Sequence, residues 1–224
     1  MYEAFAASGK ALSNASRLEL LDLLAQGERT VEALAKAAGL NVTTASAHLQ
    51  TLKAAGFVAT RRDGVRIFYR LAGDDVARLF ALLRKVADAH QPQVPAARED
   101  YLLAGGGDPG AVGSEELSVR VRAGAAAMLD VRPREEYEAG HIPGALSIPI
   151  DELADRINEL PGDTEIVVYC RGEYCVFAYD AVRLLTGHGR RAVRLNDGML
   201  EWRLADLPIT SGDGAPEKTS RTVN

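Results

Sequence analysis

The apolar positions of this chain fall into two stretches with different periods. In residues 13–25, leucines at 18, 20, 21, 23 and 24 recur at helical spacing. Residues 30–39 and 41–56 each open on a capping side chain, Thr30 or Asn41, and close on glycine, which predicts two short helices. Residues 57–71 read as a β-hairpin turning at Asp63-Gly64. Residues 74–89 place Val76, Leu79, Phe80, Leu83 and Val86 on one face of an amphipathic helix. From Ser114 the pattern changes to helices alternating with short apolar runs. Helices are expected at 114–122, 151–160, 176–185 and 198–205, and strands at 126–131, 145–148, 165–169 and 192–195.

Two domains of different class follow. Residues 1–91 form a mainly α domain, and residues 114–210 form an α/β domain with a mainly parallel sheet. Between them, 92–113 is expected to be a linker, with the change of domain near residue 105. It holds Pro92, Pro95 and the run Gly105-Gly-Gly-Asp-Pro-Gly110, with a short helix over 96–103 between these breakers. The polar tail, 211–224, is expected to be flexible.

Composition narrows the setting. The 224 residues suit two ordinary domains, and the hydrophobic fraction of 47% is that of globular proteins. No run of 18 apolar residues and no charged leader with an apolar core is present, so the expected location is cytoplasmic, with no membrane partner. Residues 1–91 carry twelve Lys and Arg against nine Asp and Glu, whereas residues 92–224 carry fourteen against twenty-two. A mildly basic domain beside an acidic one suits phosphate contact by the first alone. Two cysteines do not make a disulfide framework. In a reducing compartment such a pair points to catalysis or redox chemistry.

The first domain's chemistry is recognition. Two helices meeting at Gly39-Leu40, the second rich in small polar residues, describe a helix-turn-helix. Its second helix offers Thr43, Thr44, Ser46, Ala47 and Gln50 to a major groove. The hairpin carries Arg61, Arg62 and Arg66, suited to gripping backbone or minor groove. The segments Ser16-Arg-Leu-Glu-Leu-Leu21, Ala45-Ser-Ala-His-Leu-Gln-Thr-Leu-Lys53, Ala55-Gly-Phe-Val58 and Arg62-Asp-Gly-Val-Arg66 resemble the ArsR/SmtB winged-helix regulators, over about residues 8–90. The resemblance implies a homodimer joined by its first and last helices, reading a palindromic operator in double-stranded DNA, as a repressor. That family's metal sites use cysteines on the recognition-domain helices or Asp/His pairs on the last helix. No cysteine lies in 1–91, and Asp88 with His90 supply two donors where a transition metal takes about four. His48 reads as structural. No metal and no cofactor is expected.

The second domain's chemistry centres on Val167-Val-Tyr-Cys-Arg-Gly-Glu-Tyr-Cys-Val176, which holds both cysteines. A strand ending at Cys170, followed by a loop and a helix, aims loop amides and the helix dipole at the sulfur and favours a thiolate. The amides of Arg171, Gly172, Glu173, Tyr174, Cys175 and Val176 form the expected anion cradle, and the loop position argues against burial of Cys170. Leu129-Asp-Val-Arg-Pro-Arg-Glu-Glu-Tyr-Glu-Ala-Gly-His-Ile-Pro-Gly-Ala145 and Asp197-Gly-Met-Leu-Glu-Trp-Arg-Leu-Ala-Asp-Leu-Pro208 resemble the two signatures of the rhodanese family, over about residues 112–210. The resemblance implies that Cys170 accepts sulfane sulfur from a donor as a persulfide and hands it to a thiol acceptor, without a cofactor. Asp130 and Arg132 are expected to be structural. Many rhodaneses have Arg or Lys five residues after the cysteine, and this chain has Cys175 there. That weakens the case for an anionic donor such as thiosulfate unless Arg171 substitutes. Cys175 is either a resolving thiol or a small packed residue.

Together these readings describe a transcriptional regulator whose second domain senses reactive sulfur through Cys170 and Cys175. The rival is a sulfurtransferase that uses the winged helix for dimerisation or localisation. Arsenate reduction is a third and weaker reading, since the loop lacks a terminal arginine to hold a tetrahedral oxyanion.

Overall fold

The computed structural model describes residues 1–212, so the tail expected over 211–224 lies outside the described residues from 213 onward. Its start does not trail free. Thr210 pairs with His141 in an antiparallel bridge, and the Gly212 amide donates to the Glu138 carbonyl. The chain divides into two compact units, the first Met1–Lys85 and the second beginning at Val86. Among the described residues no helix is long and apolar enough to cross a membrane.

The first unit begins with α1 (Tyr2–Leu12), α2 (Ala15–Gln26), β1 (Arg29–Thr30), α3 (Val31–Ala37) and α4 (Val42–Ala54). Each of the last three helices is fixed at its start by a side-chain cap. Asn14 accepts from the Arg17 amide, Thr30 from Ala33 and Asn41 from Thr44. Gly39, at φ +62°, takes the left-handed conformation that ends α3 and swings the chain into α4. Leu20, Leu21 and Leu23 of α2, Leu34 of α3, and Leu49 and Leu52 of α4 are all buried. The hairpin β2 (Val58–Asp63) and β3 (Arg66–Leu71) forms a three-stranded antiparallel sheet in the order β1-β3-β2. α5 (Asp74–His90) closes the unit and runs past its boundary. Asp74 and Asp75 lie in its first turn and His90 in its last, matching the helix dipole.

The second unit contains α6 (Gln93–Leu103), β4 (Ala111–Val112), α7 (Ser114–Arg122), β5 (Ala126–Asp130), α8 (Arg134–Ala139), β6 (Leu146–Ser147), α9 (Leu153–Arg156), β7 (Glu165–Tyr169), α10 (Val176–Gly187), β8 (Ala192–Leu195) and α11 (Met199–Leu204). The five strands are all parallel, in the order β4-β8-β7-β5-β6. Two cores lie on opposite faces. Ile166 and Val168 of β7 join Leu129, Val182 and Leu185 on one face, while Val167 and Tyr169 join Met128, Leu195 and Trp202 on the other.

Within the stretch expected to be a linker, the short helix expected over 96–103 is present as α6 and starts three residues earlier. Residues 93–103 are helical and belong to the second unit, where Leu102 is buried. Arg183 of α10 ties down the end of α6 by donating to the carbonyls of Leu102 (3.0 Å) and Gly106 (2.8 Å). Proline at 95 does not break α6 because it lies in the first turn, where its missing N–H has no helical partner to lose.

Candidate functional site

The order of the parallel sheet points to one place for chemistry. From β5 the chain moves outward to β6, then returns past β5 to β7 on its other side. The segments leaving the carboxyl ends of β5 and β7 therefore diverge, which opens a crevice where ligands bind in sheets of this kind. Cys170 follows β7 directly, and Val131 follows β5. A cavity of about 550 Å³ lies at this end of the sheet, walled by Val131, Pro133, Pro149, Ile150 and Phe177 and rimmed by Arg134, Glu135, Asp151 and Glu152.

Residues 171–175 curl between β7 and α10, closed by a hydrogen bond from the Cys175 amide to the Gly172 carbonyl (3.1 Å). Cys170 and Cys175 are joined as a disulfide with Cα atoms 6.2 Å apart, within the range such a bond requires. The Cys175 amide is thus committed to the loop itself and does not face Cys170 as part of an anion cradle. The expectation that Cys170 is exposed is also corrected. It is 2% exposed and packs with Val168, Ala178 and Val182. The cause is strand alternation: Cys170 continues the series Ile166, Val168 onto the α10 face. Cys175 is half-buried against the same cluster.

Arg171 does not stand in for the absent cation. Its guanidinium is paired with Glu136 of α8, Nε lying 3.0 Å from both carboxylate oxygens and Nη2 2.6 Å from Oε1. The Glu136 side chain is 0% exposed. Arg171 also lies over the Phe177 ring, 5.5 Å from its centroid.

Beneath the loop, α11 presses its start against the backbone of the cysteine segment. The amides of Met199 and Leu200 donate to the carbonyls of Cys170 (3.1 Å) and Arg171 (3.3 Å). A Cβ on Gly198 would lie 2.2 Å from the Gly172 nitrogen, so glycine is required for this approach. Asp130 and Arg132 are fully buried and joined side by side, Nη2 to Oδ2 at 2.6 Å, and Arg132 also donates to the Gly140 carbonyl. His141 is buried, its Nδ1 2.9 Å from the Tyr137 carbonyl and its ring stacked on that of Tyr137. Burial pushes the Tyr169 phenol well above its ordinary 10.0, reinforced by the Asp130 charge. Tyr169 accepts a hydrogen bond from the Ile142 amide.

In the first unit, Thr43, Ala47 and Gln50 are exposed along α4, and Thr44 and Ser46 are partly so. Gln50 donates to the Tyr69 hydroxyl (3.0 Å), which bridges α4 and β3. The wing arginines are not equivalent. Arg61 is paired with Glu28, lies 3.6 Å from Asp63 and stacks over Phe68. Arg62 donates to the Gly64 carbonyl (3.0 Å). Arg66 is exposed at the start of β3. Among the described residues no group of three His, Cys, Asp or Glu converges to hold a metal.

Sequence reasoning missed Glu136 and Gly198. Glu136 lies within the rhodanese-like segment 129–145, but a glutamate in a polar run reads as surface, so its pairing left no signal. Gly198 lies within the second rhodanese-like segment, 197–208, and its need for space became visible only with the neighbouring loop in place.

Comparisons with known proteins agree with this division. Residues 14–60 match the family described as bacterial regulatory protein, arsR family, and residues 114–205 match that described as rhodanese-like domain. An HTH-type transcriptional regulator of Mycobacterium tuberculosis is 59% identical over 204 residues, 91% of this chain and 89% of its own. A sulfurtransferase of Allochromatium vinosum is 33% identical over 104 residues, 46% of this chain and 96% of its own. A homodimeric winged helix-turn-helix DNA-binding domain from Mycobacterium bovis, solved in solution, is 60% identical and covers 41% of this chain and 85% of its own, with a TM-score of 0.39.

Proposed function

This chain belongs to the arsR family of bacterial regulatory proteins and carries a rhodanese-like domain in its C-terminal half, and from that premise we propose that it is a DNA-binding repressor that senses sulfane sulfur. The observation that carries the reading is the pairing of Cys170 with Cys175 across a five-residue interval. In the reduced protein the Cys170 thiolate attacks the outer sulfur of a persulfide, R–S–SH. The donor's S–S bond breaks, RS⁻ leaves, and Cys170 becomes a persulfide. The Cys175 thiolate then attacks the inner sulfur, forming the Cys170–Cys175 disulfide and releasing HS⁻. Two electrons leave the cysteines and reduce the sulfane sulfur to sulfide.

Burial of Cys170 in the closed state supports sensing over turnover, since a sequestered sulfur is poorly placed to serve a stream of acceptors. The winged helix supplies the output, with Thr43, Thr44, Ser46, Ala47 and Gln50 meeting the major groove and Arg62 and Arg66 the backbone of a palindromic operator. A homodimer is part of the reading. Leu79, Leu82, Leu83 and Val86 of α5 and Tyr2 and Phe5 of α1 leave large apolar side chains exposed in the single chain, which a second copy would cover.

Mass spectrometry before and after treatment with a persulfide donor, paired with DNA affinity on the same samples, tests this. A mass loss of two hydrogen atoms on the peptide linking Cys170 and Cys175, with altered DNA affinity, is expected, and Cys170→Ser abolishes both. A response fully retained in Cys170→Ser sinks the reading. The likeness to a sulfurtransferase favours one rival, in which sulfur passes from Cys170 to an external thiol or cyanide while DNA affinity stays constant.

A further inference from the structure

Glu173 and Tyr174, in the middle of the Cys170–Cys175 loop, are held from outside it by α6. Arg98 Nη1 lies 3.2 Å from Glu173 Oε1, and the guanidinium faces the Tyr174 ring 6.0 Å from its centroid. The same nitrogen lies 3.0 Å from Asp88 Oδ1, in the last turns of α5. That oxygen is shielded from water and makes no well-angled hydrogen bond, so the Arg98 charge is what faces it. All these residues belong to the second unit. α6 is itself anchored to α10 by Arg183, so Arg98 projects from a fixed support. One guanidinium thus serves two carboxylates, one on the sulfur loop and one on the helix that continues into the first unit, where its earlier residues Val76 and Phe80 are buried.

A disulfide holds the two cysteine Cα atoms within about 7 Å, and a dithiol has no such restraint. The place of Glu173 relative to Arg98 is therefore set by whether the loop is closed. Resting on the reading that this pair cycles between dithiol and disulfide, we propose that Arg98 is a positioning residue that favours the closed loop and passes closure to α5 through Asp88. Linkage makes the effect reciprocal. If Arg98 binds the closed loop better than the open one, it favours disulfide formation by the same factor by which closure favours the Arg98–Glu173 contact. The loop's opening frees Arg98 toward Asp88 alone and changes the charge balance at the end of α5.

The full-length protein, equilibrated with reduced and oxidised glutathione and trapped for mass spectrometry, gives the thiol–disulfide equilibrium constant. Arg98→Gln and Glu173→Gln are each expected to move it toward the dithiol by about threefold to tenfold, equivalent to about 15 to 30 mV for a two-electron couple. Arg98→Lys, which keeps the charge, is expected to recover most of the loss. A merely structural arginine would lower the melting temperature of both forms alike without moving this constant. If Arg98→Gln does not fold, Glu173→Gln carries the test, because its side chain is 44% exposed. DNA affinity is read on a duplex selected by the wild-type protein from a random library. Asp88→Asn is expected to shrink the oxidised-to-reduced affinity ratio at least about threefold.

A wild-type protein that never forms the disulfide overturns both this proposal and the sensing function. Normal cycling, with Arg98→Gln and Glu173→Gln within twofold of wild type, overturns the role of Arg98 alone. An unchanged affinity ratio in Asp88→Asn overturns the route through α5.

Discussion

Arg171, the first residue of the sulfur loop, is clamped to the wholly buried Glu136, its Nε equidistant at 3.0 Å from both carboxylate oxygens. The cation nearest in sequence to Cys170 is therefore occupied with holding the loop to α8. The cavity at the carboxyl end of the sheet, whose wall includes the Phe177 ring that Arg171 covers, is rimmed by Glu135, Asp151 and Glu152 against Arg134, and Arg134 is itself bonded to Glu138. An anionic donor finds little compensation there.

The reduced protein should accordingly take sulfur from a neutral polysulfane at least about tenfold faster than from thiosulfate, a difference of about 1.4 kcal/mol in barrier. Mass spectrometry of quenched samples follows the added sulfur, and equal rates would contradict this account of the site. Glu136→Gln should also cost about 3 kcal/mol in a urea titration. That is the lower end for breaking a buried pair, since Arg171 keeps some contact with water.

Gly198→Ala should disturb the sulfur loop more than its size suggests. The added methyl would meet the Gly172 backbone at 2.2 and 2.3 Å, and backbone cannot rotate away as a side chain can. Disulfide formation in the variant should slow by about tenfold or more, with a stability loss of about 1 to 3 kcal/mol. An unaltered rate of closure would show that α11 does not position the loop.

Alkaline stability offers a separate check on the second core. The Tyr169 phenol is raised well above 10.0, first by burial and then by the Asp130 charge. Its unfolded counterpart ionises near 10, so the neutral folded form is favoured fully below that pH and loses ground as pH rises through and beyond it. The rhodanese-like domain should destabilise above about pH 10. Tyr169→Phe should flatten that part of the profile while losing the Ile142 hydrogen bond at every pH. A variant with the wild-type alkaline slope would place the titrating group elsewhere.

The wing arginines should separate in DNA binding. Arg66→Ala is expected to weaken binding across sequences and to lower the salt slope by about 1. Arg61→Ala should change that slope little, because its charge already faces Glu28 and Asp63, and should show chiefly as a small loss of stability. Equal salt effects from the two would mean that Arg61 leaves Glu28 for phosphate.

Much of this architecture was legible in the order of residues. The capped helices at Thr30 and Asn41, the hairpin and the strands at 165–169 and 192–195 all carry local patterns that survive folding unchanged. Elements without a pattern escaped. β1 and β4 have two residues each, too few for alternation, and α1 buries little more than Ala11. α8 has six residues and hides in a run dense with charge. The burial of Cys170 was within reach, because it continues the alternation of Ile166 and Val168, yet its place at the mouth of a loop argued the other way.

The sequence by itself determined two domains and their classes. Those properties follow from periodicity, capping and residue chemistry, which act over a few positions along the chain. Only the tertiary structure decided that Arg171 turns to Glu136, that Gly198 must be bare and that Arg98 spans Asp88 and Glu173. Each depends on a partner separated in sequence by between 10 and 75 residues. Charge pairing and close backbone approach are set by distance in space, and no local pattern records them.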